Sequence, residues 1–213
     1  HPALAPYRIG IFNALHEELT IKVVFLRENL LNQSFDQEKL KSQLNCDFEY
    51  ITSGINVGHH QLLRWQTISV IKQFNPDVII THEFNLFSSF LALYPLGNNI
   101  KLIIWTADNL AMCHRRTGIR EKVRKYLCRS VDGLIVYSED VKKYYTDYGV
   151  EKKSIGVSPN IQNEINSRLL LESSTQQAAD YITEFKLEGK KIILYVGRLS
   201  KEKSLDTLLK SLS

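Results

Sequence analysis

Cysteine is scarce in this chain: 213 residues carry three, Cys46, Cys113 and Cys128. An odd number with no C-x-x-C spacing excludes a disulfide scaffold and fits a reducing compartment such as the cytoplasm. Long apolar runs are missing, and no stretch approaches the ~20 residues of a membrane-spanning helix. A strong excess of one charge is missing as well. The net charge of +4 is mildly basic, short of a dedicated nucleic-acid binder. Neither an internal repeat nor a low-complexity tract occurs. The opening residues, HPALAP, lack the charged n-region and apolar core of a signal peptide. What is present is the composition of a globular protein. Hydrophobic residues make up 44% of the chain and aromatic residues 10%, which excludes disorder. The length allows one to two domains.

Short apolar runs recur along the chain at residues 21–26 (IKVVFL), 78–81 (VIIT), 102–106 (LIIWT), 134–138 (LIVYS) and 192–196 (IILYV). Each is of strand length and apolar at consecutive positions, the mark of a strand buried on both faces of a parallel sheet. Helical spacing fills the intervals: Leu62, Leu63, Trp65, Ile68, Val70, Ile71 and Phe74 in 60–74, then 85–94 stopped by Pro95, then 118–131. Strand alternating with helix predicts an α/β fold with a Rossmann-like, doubly wound, mostly parallel sheet. Residues 7–16 read as a helix ahead of the first strand run, so the opening strand of such a domain is expected to be missing or replaced. Residues 30–46 are polar and mixed, a loop with an irregular edge piece. Ser158-Pro159-Asn160 is a turn signal. The expected organisation is a first domain over 1–165, a linker and helix over 166–189, and a truncated second α/β domain over 190–213. With no initial Met and a last residue inside a helical pattern, both ends are expected to be cut.

Two stretches carry candidate chemistry. Gly197-Arg198-Leu199-Ser200-Lys201-Glu202-Lys203-Ser204 lies between a strand run and a helical run. Ligands of open α/β sheets bind at the carboxyl ends of strands, and a helix N-terminus presents free N–H groups to phosphate. Arg198 can fork onto phosphate oxygens and Lys203 adds a second positive charge. Ser204 can cap the helix. A solvated loop with ordinary surface charges is the competing reading, and the loop is not a Walker A motif. His82-Glu83 follows the run at 78–81 and falls on the same ligand-facing edge, as an acceptor-facing pair or as a capping loop. Tyr7 and Arg8 either contact a ligand or pack and solvate the first helix. His59-His60 has no third ligand at zinc spacing, so no metal is expected.

The segment IILYVGRLSKEKSLDTLLKSL resembles the G-R-x-x-x-E-K-G element that opens the C-terminal domain of family 4 glycosyltransferases with the GT-B fold. SVDGLIVYSEDVKKYYTDYGVEKKSIGVSPN resembles the end of that family's N-terminal domain, and APYRIGIFNALHE its first helix. The resemblance implies transfer of a sugar from a nucleotide-diphosphate donor, a UDP- or GDP-sugar, to a glycan or lipid-linked acceptor with retention of configuration. Polysaccharide or glycolipid synthesis is the implied setting. The N-terminal domain would hold the acceptor through Tyr7, Arg8, Glu83 and Asn109, and the C-terminal domain the donor. No metal would be needed, since basic side chains and helix dipoles stabilise the leaving diphosphate. Gly197, Arg198 and Lys203 would bind that diphosphate. Members often carry a His after the strand matching 102–106; here Asp108 takes that place, as a catalytic partner of the acceptor hydroxyl beside His82, or as an Asx turn. The family's Glu-x7-Glu element would lie beyond Ser213, so the chain by itself is expected to be inactive.

A basic segment completes the picture: His114, Arg115, Arg116, Arg120, Lys122, Arg124, Lys125 and Arg129, with Glu121 as the acid among them. If Ile119, Val123, Tyr126 and Leu127 face the core, then Arg120, Arg124, Lys125 and Arg129 face outward. They would meet an anionic membrane surface at the inner face of the membrane, or simply water. Nucleic acid is not an expected partner. The alternatives to the transferase are a non-catalytic module binding sugar, phosphate or membrane, and a GT-B sugar-nucleotide epimerase.

Overall fold

The computed structural model describes residues 1–29, 34–57, 60–97, 99–115, 118–159, 164–197, 199 and 201–212. The chain divides into two compact units, His1–Gln162 and Asn163–Ser213.

The first unit opens with helix α1 (Pro6–Glu18), where Pro6 sits in the first turn, the place in a helix where its missing N–H costs nothing. Strand β1 (Lys22–Phe25), helix α2 (Gln37–Lys41) and strand β2 (Asp47–Tyr50) follow, with β1 and β2 paired in parallel. His1 runs beside β1: its backbone nitrogen donates to the Val24 carbonyl at 2.6 Å, and the Leu26 N–H donates to the His1 carbonyl at 3.1 Å. Leu4, Ile9, Phe12, Val23, Phe25 and Leu40 make the core of this layer. Strands β3 (Ile55–Val57) and β4 (His60–Leu63) form an antiparallel pair. The helix expected over 60–74 is therefore corrected. Residues 60–63 pair with β3, and helix α3 (Gln66–Phe74) starts later. A short apolar run such as Leu62-Leu63 fits either period, and here the partner strand decides it.

A four-stranded parallel sheet carries the rest of the unit. Its strands are β5 (Val78–His82), β6 (Lys101–Trp105), β7 (Gly133–Val136) and β8 (Ile155–Val157), paired in that order. Helix α4 (Leu86–Leu93) connects β5 to β6, and α5 (Leu110–His114) and α6 (Ile119–Ser130) connect β6 to β7. Helix α7 (Glu139–Asp147) connects β7 to β8. The helices start where short polar side chains cap them: Asn85 accepts from the Ser88 N–H, Asn109 from the Met112 N–H and Ser138 from the Val141 N–H. The inner strands are apolar because both faces are covered, with Ile104, Leu134, Val136, Val141, Tyr145 and Ile155 in one buried cluster. Gly133 admits β8 at close quarters, since a Cβ there would lie 2.8 Å from the Ser154 carbonyl oxygen. This is the mixed α/β, Rossmann-like architecture with parallel sheets that the alternation of runs predicts. A cavity of about 1400 Å³ lies against both β1 and β5, and Val23, Val24, Ile79 and Thr81 are among its lining residues.

The basic helix faces otherwise than expected. In α6 the buried residues are Arg124, Leu127 and Cys128, while Ile119, Val123 and Tyr126 are exposed. Arg124 therefore leaves the outward basic set, and Arg120, Lys125 and Arg129 stay in it.

The second unit holds helices α8 (Glu164–Ser173) and α9 (Thr175–Glu184), a 3-10 turn at Lys201–Lys203 and helix α10 (Leu205–Ser211). The strand expected over 192–196 does not form. Among the described residues they pair with nothing in a ladder, and Leu194 and Val196 are 80% and 86% exposed. A run apolar enough for a buried strand needs neighbouring strands to satisfy its backbone. Ser204 does not cap α10 with its side chain; its φ of 50° is left-handed.

Candidate functional site

Parallel pairing brings the carboxyl ends of β5, β6 and β7 to one edge of the sheet. His82 ends β5 and stands opposite Trp105 at the end of β6. Its side chain is mostly buried, and its pKa is pushed down to about 4, chiefly by burial. The imidazole is thus neutral at pH 7. Its Nε2 lies 3.9 Å from Glu83 Oε1, a contact between a neutral ring and a carboxylate. Both His82 and Trp105 line the cavity beside β5.

Glu83 adopts a φ of 64°, a left-handed backbone that a non-glycine residue holds at a cost of ~1–3 kcal/mol. Its N–H donates to the Trp105 carbonyl at 2.9 Å. One carboxylate oxygen accepts from the Ala107 N–H at 2.8 Å and the other from the Thr106 hydroxyl at 3.0 Å. Burial raises its pKa against the pull of these two hydrogen bonds. Glu83 therefore pins the loop that follows β6, and both of its oxygens are engaged in doing so.

Asp108, in that loop, turns inward. Its carboxylate is buried and accepts from the Arg124 guanidinium of α6 and, at 2.5 Å, from the Tyr145 hydroxyl of α7. Arg124 also donates to the Tyr145 hydroxyl and lies 4.2 Å from the Phe84 ring centroid. Burial opposes the charge of Arg124, but Tyr145 and Asp108 outweigh it and hold the guanidinium above its ordinary pKa. The expectation of Asp108 as a free base toward an acceptor hydroxyl is corrected by this geometry: its carboxylate ties a loop and two helices together. Asn109 caps α5 with its side-chain oxygen.

Arg8 comes to the same edge from the first turns of α1. It is 5% exposed, its guanidinium lies 4.7 Å from the Trp105 ring centroid, and Nη2 donates to the Tyr137 hydroxyl at 2.8 Å, just past β7. Tyr7 is 38% exposed beside it. The structure thus gathers Arg8, His82, Glu83 and Asp108 around the ends of the central strands. Sequence reasoning did not find Tyr137, Trp105, Tyr145 or Arg124 as members. One signal was there to read, since Arg124, Leu127 and Cys128 share one helical stripe, as do Val141 and Tyr145. In the second unit, Gly197 and Lys203 are exposed, and Arg198 lies outside the described residues. Among the described residues, no helix is long and apolar enough to cross a membrane.

Residues 48–161, more than half of the chain, match the model of Glycosyltransferase Family 4. An uncharacterized glycosyltransferase of Methanocaldococcus jannaschii is 25% identical over 158 residues, covering 69% of this chain and 38% of that relative. The chain thus spans well under half the length of that relative. The matched region carries β5 to β8 and the residues at their carboxyl edge, except those contributed by α1, and on this ground the chain belongs to glycosyltransferase family 4.

Proposed function

We propose that this chain supplies the acceptor side of a retaining glycosyltransferase that moves a hexose from a UDP- or GDP-sugar to a glycan or lipid-linked acceptor. The observation that carries the reading is a neutral His82 at the carboxyl edge of the sheet, lining a cavity large enough for a sugar. In this reading His82 accepts the hydrogen bond of the acceptor hydroxyl. Glu83 and Asp108 act through the 106–109 loop, which they hold in place, and Tyr7 and Arg8 contact the acceptor. Gly197, Arg198 and Lys203 take the donor diphosphate, with basic groups rather than a metal stabilising its charge. The exposed basic side of α6, where Lys125 and Arg129 accompany the cavity-lining Arg120, rests on an anionic membrane surface on the cytoplasmic side. These 213 residues alone do not catalyse transfer.

The test uses the full-length polypeptide with UDP- and GDP-sugars and both classes of acceptor. Nucleoside diphosphate release and the anomeric configuration of the product are measured. Acceptor-dependent release with retention is expected, and His82→Ala lowers kcat about a hundredfold. Absence of release with every sugar donor, or an inverted product, overturns the reading.

A further inference from the structure

Buried charges in proteins are normally paired. Arg124 obeys this through Asp108. Arg8, equally buried at 5% exposure, does not: among the described residues it forms no ion pair, and its Nε and Nη1 have no hydrogen-bond partner. The one side-chain hydrogen bond it makes among them goes to the neutral Tyr137 hydroxyl. Its guanidinium lies over the Trp105 ring, and the indole Nε1 of Trp105 is another buried donor without a partner. The helix that carries Arg8 has no side-chain cap and no acid in its first turn, so its positive dipole end is uncompensated at the same edge. The neighbouring imidazole of His82 is neutral at pH 7 and does not satisfy the cation. Glu83, an acid at this edge, has both carboxylate oxygens held by Thr106 and Ala107.

We propose that Arg8 is the anchor of an oxyanion site, in which its guanidinium and the indole N–H of Trp105 bind a phosphate or carboxylate group carried by the acceptor. A fork of unused N–H donors held over an aromatic ring matches a planar or tetrahedral oxyanion. Trp105 lines the cavity and Arg8, 5% exposed, does not, so the group approaches from the side of Trp105. The inference deepens the acceptor-side reading and rests on it for what carries the anion, but anion binding itself does not depend on sugar transfer.

The experiment titrates the full-length polypeptide with inorganic phosphate, pyrophosphate and glucuronate, followed by calorimetry and by the Trp105 indole N–H resonance. Saturable binding of at least one anion is expected, with a shift of that resonance. Arg8→Gln weakens binding at least tenfold, and Arg8→Lys, which keeps the charge but loses the fork, weakens it less. Tighter phosphate than glucuronate assigns a phosphorylated acceptor, and the reverse order assigns an acidic sugar. Thermal melting supplies a control for folding: without anion, Arg8→Met melts no lower than the parent, because it removes an uncompensated buried charge. No saturable binding, unchanged binding by Arg8→Gln, or a much lower melting point for Arg8→Met with no anion effect on the parent overturns the proposal. Anion binding without any transferase activity overturns the transferase reading and leaves the site standing; transferase activity without anion binding does the reverse.

Discussion

At the scale of single residues, the fate of each charge at the sheet edge is set by what it is buried with. Arg124→Met leaves the Asp108 carboxylate buried without its cation and is expected to cost about 3–5 kcal/mol. Adding Asp108→Asn returns part of that loss, so the double variant is more stable than the sum of the single effects requires; urea unfolding of the three variants measures it. His82 gives the molecule an acid-sensitive point. Unfolded, its imidazole takes a proton near pH 6.5; folded, it resists until about pH 4. The unfolded state therefore holds more protons in between, and its share of stability is complete above about pH 6.5 and lost as pH falls toward 4. That share is about 3 kcal/mol, and His82→Gln should flatten the stability profile over this window by that amount. The positions of His82 and Glu83 at the end of a strand were legible in sequence, because a strand run ends there. The inward turn of Asp108 was not, because its partners are 16 and 37 residues away.

At the scale of elements, strands and helices follow from local pattern wherever burial is two-sided or the caps are explicit. The runs at 102–106 and 134–138 became β6 and β7 for that reason, whereas β5, from the run at 78–81, leaves Val78 and Ile80 46% and 49% exposed. Helix α6 shows where pattern stops. Its apolar residues Ile119, Val123 and Tyr126 would make a core stripe, yet the buried stripe is Arg124, Leu127 and Cys128. Hydropathy ranks arginine last for such a place, and only a buried carboxylate partner reverses the ranking. The exposed side of α6 makes a clear expectation. Replacing Arg120, Lys125 and Arg129 together by Glu removes about 1 kcal/mol of attraction per residue, and binding to phosphatidylserine vesicles should fall at least a hundredfold. Co-sedimentation reads it, and the melting temperature should hardly move because these side chains are exposed. Unchanged sedimentation would remove the membrane from the proposed function.

At the scale of the whole molecule, the two units differ in how they cover apolar surface. The first buries Ile104, Leu134 and Val136 in the inner strands of its sheet, whereas the second leaves Ile192, Ile193, Leu194 and Val196 exposed and, among the described residues, outside any ladder. Backbone amides at 192–196 should accordingly exchange with solvent within the dead time of a hydrogen-exchange experiment, while those at 134–136 are protected to near the global unfolding limit. Equal protection of the two segments would mean that the second run is paired after all. The sequence by itself determined the alternation of strand and helix from β5 to β7, because apolar runs of strand length are separated there by helical spacing. It also placed His82 and Glu83 at the carboxyl edge, though not Tyr137 or Tyr145. Only the tertiary structure decided which charges there are spent and which are free. Asp108 and Arg124 neutralise each other, Glu83 holds a loop, and Arg8 keeps unused donors. Such pairings join residues far apart in the chain, and their energies depend on a burial that no local pattern records.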